Sequence, residues 1–153
     1  MKPEQLLALC VWTEARGEPD NGKAAVARVV LNRRRLRYSS DGSLVGTILA
    51  PDQFSAFWFG FQNGRYTRLA HTHTDAWGRA NVLYTQAAND PAFARCAEIA
   101  DKVMAGTFEG PGYSDLTDDT VCYYNPMIVK PRPAWADPEK HVTDICRHAF
   151  FRA

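Results

Sequence analysis

The fold is decided by residues 14–19, Glu-Ala-Arg-Gly-Glu-Pro, and by residues 24–31, Ala-Ala-Val-Ala-Arg-Val-Val-Leu. The first segment ends a predicted helix over residues 3–16, which Gly17 and Pro19 terminate. One face of that helix carries four residues at helical spacing: Leu7, Cys10, Val11 and Glu14. The second segment is small and apolar on nearly every side, which predicts a helix in the centre of the fold over residues 22–37.

The remaining pattern predicts a mainly helical α+β protein with a small antiparallel sheet near the C-terminus. Further helical segments are predicted at residues 45–49, 75–88 and 90–105. Residues 51–64 are aromatic and irregular, and residues 65–74 are polar without a clear period. Two predicted strands, near residues 121–125 and 145–151, follow a loop and flank a proline-rich connection, so they can pair.

Length and composition favour one compact domain over residues 1–153. The net charge of +1 argues against a nucleic-acid-binding protein, and the basic residues 33–37 are interpreted as a helix end that complements the helix dipole. No apolar run is long enough for membrane insertion. No signal peptide is visible, so we expect synthesis in the cytoplasm.

Glu14 is the candidate catalytic residue. A carboxyl group on an apolar helix face resists ionisation, because burial disfavours its charged form. A general acid that works near neutral pH needs such a raised pKa. The competing interpretation is a structural glutamate at the helix end, paired with Arg16 or Arg28.

The order of several motifs resembles the catalytic domain of the cell wall hydrolase and spore-cortex-lytic enzyme family. The strongest motif is the Glu-Ala-Arg-Gly-Glu-Pro string with the helix that follows it. Three later motifs agree in order and spacing: Gln53-Phe54-Ser55-Ala56, Tyr123-Tyr124-Asn125-Pro126 and Cys146-Arg147-His148-Ala149-Phe150. Residues 60–74 have no counterpart and are interpreted as an insertion, and Cys146 stands where the family often has glycine.

The resemblance implies a lysozyme-like fold and cleavage of peptidoglycan between N-acetylmuramic acid and N-acetylglucosamine. It also implies that Glu14, the first glutamate of the motif, is the catalytic residue. The peptidoglycan substrate is the expected partner, and we expect a monomer.

Glycosidases ordinarily use two carboxyl groups, and the sequence offers no obvious second one. Asp52, Asp75 and Glu18 are candidates, but no motif places them near Glu14. A lytic transglycosylase needs only one, because the muramic acid 6-hydroxyl attacks its own anomeric carbon and leaves a 1,6-anhydro end. Hydrolysis by a lysozyme-type muramidase is the close alternative.

Four residues are predicted to contact the substrate. Gln53 and Ser55 are expected to face the groove while Phe54 enters the core. Tyr123 and Tyr124 alternate across a strand, so only one can face the cleft, and Tyr124 with Asn125 is preferred.

No metal or cofactor is predicted. His71 and His73 form a His-x-His pair, but no third ligand stands at a diagnostic spacing. A zinc amidase or peptidase that uses this pair remains an alternative, as does a non-catalytic peptidoglycan-binding domain.

The four cysteines leave one question open. Cys122 and Cys146 fall in the two predicted strands and could form a disulfide, although two buried thiols are favoured in a chain without an export signal. A lone catalytic domain without a signal is typical of a phage or prophage endolysin, which acts on the cell wall after release.

Overall fold

The computed structural model covers residues 1–153 and contains five α-helices. They are α1 (Pro3–Ala15), α2 (Asp20–Leu36), α3 (Leu44–Ile48), α4 (His73–Ala87) and α5 (Ala92–Met104). None of them combines the length and apolar character that a membrane crossing requires.

Helix α1 is the centre of the core. Every residue from Leu6 to Trp12 is buried, so the helix is enclosed on nearly all sides by α2, α3, α4 and α5. Helix α2 is buried along most of its length, and its Arg28 turns outward. Glu14 lies in the last turn of α1, so the most enclosed element of the protein holds the candidate catalytic residue.

A three-stranded antiparallel sheet packs on the helices through α2. Its strands are β3 (Thr120–Tyr124), β4 (His141–Ile145) and β5 (His148–Arg152), in the order β3-β5-β4. The small antiparallel C-terminal sheet is therefore confirmed, but the single strand predicted over residues 145–151 is wrong. That segment contains the end of β4, a tight turn and β5. The sequence carries no signal for this turn, because Cys146 adopts a left-handed backbone (φ +54°), a conformation for which glycine or asparagine is the usual signal.

A second correction concerns residues 59–68, which were predicted to be irregular and polar. They form an antiparallel hairpin of β1 (Phe59–Gln62) and β2 (Arg65–Arg68). Its two-residue turn, Asn63-Gly64, has φ values of +52° and +74°. Asn-Gly with both φ values positive is the typical connection of a tight hairpin, so the signal for this hairpin was present in the sequence.

All four cysteines are free thiols. Cys122 is buried and its thiol donates to the Tyr38 hydroxyl, whereas Cys146 is exposed, so the expectation of two buried thiols is wrong for Cys146. A Cys122–Cys146 bridge does not fit the sheet. Cys122 lies opposite Phe151, five residues from Cys146, which corresponds to roughly 16 Å along a strand. A disulfide requires Cα atoms about 4.4–6.8 Å apart.

Candidate active site

Glu14 meets the C-terminal sheet through Tyr123, the penultimate residue of β3. The Tyr123 hydroxyl donates a hydrogen bond of 3.1 Å to the Glu14 carboxylate. Glu14 is only partly buried, whereas Leu7, Cys10 and Val11 on the same face are fully enclosed. The carboxyl group therefore stands where the core reaches the surface, between helix α1 and the sheet.

The surroundings of Glu14 favour its protonated form. Burial raises the pKa of Glu14, while the Tyr123 hydrogen bond and the positive charge of Arg33 oppose that rise without cancelling it. Burial and the nearby Glu14 charge also raise the pKa of Tyr123, which keeps its hydroxyl protonated as a donor. A carboxyl group with a raised pKa can give up a proton near neutral pH and later take one back.

Arg33 connects the sheet to the segment that contains Gln53. Its side chain is only 7% exposed, and Nε donates to the Val121 carbonyl at 2.6 Å. A terminal guanidinium nitrogen donates to Gln53 Oε1 at 3.2 Å, and the guanidinium lies 5.2 Å from the Phe54 ring centre. The basic end predicted for this helix is confirmed, since Arg33, Arg34 and Arg35 lie in the last turn of α2, but Arg33 also has a buried role that the prediction did not include. Its helical spacing from the buried Val26, Val29 and Val30 was the available signal.

His148 and Glu18 lie on the other side of Tyr123. The His148 ring meets the Tyr123 ring edge-on, with centres 5.3 Å apart, and His148 Nδ1 is 3.9 Å from the Glu18 carboxylate. Burial lowers the pKa of His148, although Glu18 opposes this effect. The sheet face that contacts Glu14 therefore carries the phenol of Tyr123 with the imidazole of His148 beside it.

The structure brings Tyr123, rather than Tyr124, to Glu14. Tyr124 lies on the opposite face of the sheet, where its ring packs against Trp135 and Phe151 at centre distances of 5.7 and 5.8 Å. Tyr123 is therefore the tyrosine that faces Glu14, and the predicted contact between Tyr124 and the substrate stays a prediction.

The other predicted contact residues take different positions. Gln53 accepts a hydrogen bond from Arg33, whose charge acts on Glu14. Phe54 is buried, as expected. Ser55 is exposed at the start of a single 3₁₀ turn, Ser55–Phe57. Asn125 closes the turn after β3, because its side-chain oxygen accepts from the Met127 amide at 2.9 Å. Substrate contacts by Gln53, Ser55 and Asn125 stay predictions.

Neither arginine of the competing interpretation binds Glu14. The Arg16 guanidinium lies over the Trp12 ring, 4.4 Å from its centre. Arg28 forms an ion pair with Asp118. The side-chain hydrogen bond that the Glu14 carboxylate accepts comes from Tyr123 instead.

The three candidate second carboxyl groups are engaged elsewhere. Asp52 forms an ion pair of 2.8 Å with Arg68, which holds its pKa below the ordinary value. Asp75 accepts from the His71 amide at 3.0 Å in the first turn of α4, which lowers its pKa. Glu18 lies beside His148. The influences on the pKa of Glu14 are burial, Tyr123 and Arg33, and no acidic residue is among them.

His71 and His73 are exposed at the start of α4. The structure contains no cluster of three His, Cys, Asp or Glu side chains that could hold a metal ion. The zinc alternative therefore gains no support from the arrangement of side chains.

Fold and site together define a mainly helical α+β protein with a partly buried carboxyl group, that of Glu14, at the junction of its central helix and its sheet. The sequence model of the cell wall hydrolase family matches residues 17–151, and the chain belongs to that family. The matched range begins three residues after Glu14, so it covers the second glutamate of the motif and not the first.

A solved structure shares the fold. It is the catalytic domain of the germination-specific lytic transglycosylase SleB from Bacillus anthracis, with a TM-score of 0.63 and 23% sequence identity. The similarity covers 98% of this chain and 93% of that chain. The predicted family resemblance and fold class are confirmed by these two findings. The search of curated proteins returned no match.

Removal of the Tyr123 hydroxyl tests its role beside Glu14. In Tyr123→Phe, the pKa of Glu14 is expected to rise further, because the lost hydrogen bond stabilises the carboxylate. The alkaline limb of the pH profile of kcat/KM should therefore move to higher pH, and the optimal rate should fall about tenfold. The measurement is the pH profile of peptidoglycan cleavage.

Tyr84→Phe is the matched control, because it also removes one tyrosine hydroxyl, which bonds to Gln5 at 2.8 Å. Its profile should match that of the parent protein. An alkaline limb that stays in place in Tyr123→Phe would contradict the assigned role of Tyr123.

Proposed function

We propose that the protein cleaves the glycan strand of peptidoglycan between N-acetylmuramic acid and N-acetylglucosamine as a lytic transglycosylase. The observation that carries the proposal is a single carboxyl group, Glu14, which accepts a hydrogen bond from Tyr123, while the three candidate second carboxyl groups have other partners. The proposal treats residues 1–153 as one catalytic domain that acts as a monomer on the cell wall without metal or cofactor.

The chemistry needs one group to transfer protons twice. Protonated Glu14 gives its proton to the glycosidic oxygen, and the bond from that oxygen to the muramic acid C1 breaks. N-acetylglucosamine leaves with a free 4-hydroxyl. The Glu14 carboxylate then takes the proton of the muramic acid 6-hydroxyl while O6 bonds to C1, which restores protonated Glu14. The 6-hydroxyl belongs to the reacting sugar, so its proximity supplies what a second catalytic group would otherwise provide.

The absence of a coupled carboxylate favours this route over a double-displacement hydrolase. Two carboxyl groups in a retaining glycosidase lie about 5–5.5 Å apart. At that distance two negative charges repel with an energy on the order of 3 kcal/mol for an effective dielectric constant of about 20. Asp52, Asp75 and Glu18 instead have partners other than Glu14.

The neighbouring residues have supporting roles in this proposal. Tyr123 orients the Glu14 carboxyl group and remains neutral throughout. Arg33 carries the positive charge that stabilises Glu14 once it has become a carboxylate. Gln53, Ser55, Tyr124 and Asn125 are proposed as contacts to the sugar strand. The lytic transglycosylase with the same fold is in line with the proposal.

The products of digestion test the reaction type. Mass spectrometry of the released disaccharide-peptides should show anhydro-muramic ends, lighter by one water than hydrolysed ends. A hydrolytic muramidase acting on the same peptidoglycan is the control, and it yields reducing ends. Products with reducing ends only would show that water is the acceptor, and Glu18 would then be the first carboxyl group to mutate because it lies nearest the site through His148.

A further inference from the structure

The β1–β2 hairpin exposes two aromatic side chains that lie outside the buried core. Phe61 is 76% exposed and Tyr66 is 58% exposed, and the two lie directly opposite each other in the strand register. Single exposed apolar residues are common on protein surfaces, but a contiguous exposed aromatic surface marks a contact with another molecule.

These rings belong to a larger ordered surface. Side chains alternate along a strand, so the pairs Phe61–Tyr66 and Phe59–Arg68 share one face of the hairpin. The Phe59 and Tyr66 rings stack with centres 5.8 Å apart and planes inclined by 16°, and Phe61 meets Tyr66 at 5.5 Å. The Arg68 guanidinium lies 4.6 Å from the Phe59 ring centre. We name Phe59, Phe61, Tyr66 and Arg68 the aromatic platform.

The opposite face of the hairpin is turned toward the rest of the protein. A side chain at Gly60 would come within 2.7 Å of Leu69 Cδ1 and 3.3 Å of an Arg79 guanidinium nitrogen. That guanidinium donates in turn to the Ala56 carbonyl at 3.2 Å. The Phe61 and Tyr66 end of the aromatic platform is exposed, whereas Phe59 at its other end is partly buried and packs against the main core.

A chain of contacts links the platform to the candidate active site. Its Arg68 is ion-paired with Asp52, and the next residue, Gln53, accepts a hydrogen bond from Arg33. Arg33 is the positive charge that acts on Glu14. Arg68, Asp52, Gln53 and Arg33 therefore connect the platform to the surroundings of Glu14.

The chemistry of the platform fits a sugar polymer. Flat aromatic faces pack against the apolar C–H faces of pyranose rings, and the Tyr66 hydroxyl and the Arg68–Asp52 pair offer hydrogen-bonding groups at the edge. Residues 59–68 contain two arginines and no acidic residue, which complements the carboxylates that peptidoglycan carries.

We propose that the aromatic platform is a binding subsite for the glycan strand of peptidoglycan and holds sugars remote from the bond that is cleaved. The inference rests on the proposed function and adds to it a second point of contact with the same polymer. A remote subsite strengthens binding of long strands without taking part in proton transfer.

Binding to insoluble peptidoglycan tests the platform. The assay uses the full chain with Glu14→Gln, so that the polymer is not consumed during the measurement. Adding Phe61→Thr and Tyr66→Thr removes both exposed rings while keeping residues that suit a strand. We expect Kd to rise at least about tenfold, equivalent to about 1.4 kcal/mol. Peptidoglycan stripped of its stem peptides should show the same loss, because the rings contact sugars.

Two controls address folding and surface character. Val82→Ala with Met104→Ala removes two exposed apolar side chains from α4 and α5, which are 53% and 38% exposed, and should leave Kd unchanged. Phe61→Tyr keeps a ring and should keep binding. Circular dichroism and thermal melting should show that the double threonine variant is folded.

Several outcomes would overturn the proposal. An unchanged Kd would do so, as would a loss confined to phosphatidylglycerol–phosphatidylethanolamine vesicles or to self-association in analytical ultracentrifugation.

The two proposals also fail in distinguishable ways. If the parent chain does not cleave glycan but the threonine variant still loses binding, the platform stands and the proposed function fails. If the parent chain cleaves glycan and the variant binds normally, the platform alone fails.

Discussion

Replacing Glu14 with glutamine is expected to lower the rate of peptidoglycan cleavage by at least about a thousandfold, because the same carboxyl group carries both proton transfers. Glutamine has nearly the same shape and can still accept the hydrogen bond from Tyr123. It cannot donate a proton to the leaving oxygen and recover one afterwards. The measurement is the initial rate of release of soluble fragments from purified peptidoglycan.

The same substitution should leave the fold intact. The folded-state pKa of Glu14 is raised, so the folded protein holds this proton more tightly than the unfolded chain does. The contribution of Glu14 to stability is therefore most favourable below its unfolded pKa and is lost as pH rises through its folded pKa. At pH 7 glutamine relieves the cost of a partly buried charge, so the melting temperature of Glu14→Gln should equal or exceed that of the parent protein.

Glu139→Gln is the matched control, since Glu139 is exposed in the connection before β4. That variant should cleave at the parent rate. Retention of most activity by Glu14→Gln, with the control also active, would remove Glu14 from the catalytic role.

Replacing Arg33 with methionine is expected to lower the free energy of unfolding by about 3 kcal/mol. Methionine fills much of the same volume but cannot bond to the Val121 carbonyl or to Gln53. The loss leaves a buried carbonyl without its partner and also removes the cation that lies over Phe54. Urea unfolding at pH 7 measures the change.

Activity should respond to the same substitution. The positive charge of Arg33 lowers the pKa of Glu14, so its removal should raise that pKa further and move the alkaline limb of the pH profile upward. Arg33→Lys retains the charge but not the paired hydrogen bonds. Compared with Arg33→Met, it should therefore restore the pH profile more fully than the free energy of unfolding.

Arg34→Met, at an exposed neighbouring position, is the control and should change the free energy of unfolding by less than about 0.5 kcal/mol. Equal effects at positions 33 and 34 would contradict the structural role of Arg33.

Local patterns predicted the helical part of the fold well. The periodicity of residues 3–16 and the apolar run at 24–31 correspond to α1 and α2, because helix faces repeat within a few residues. The hairpin over residues 59–68 is also predictable from the sequence, since Asn63-Gly64 is a strong signal for a tight hairpin turn. The turn between β4 and β5 was not, because Cys146 carries no signal for a left-handed backbone.

The sequence by itself determined the family, the mainly helical α+β class and the candidacy of Glu14, because each depends on residues close together in the chain. Tertiary structure alone decided which tyrosine meets Glu14. Strand alternation places Tyr123 and Tyr124 on opposite faces, but the face turned toward the helices depends on how the sheet packs against α2. The link from Arg33 to Val121 likewise spans 88 positions of the chain. No local pattern encodes such a contact, since it forms only when the helix and the sheet have closed around a common core.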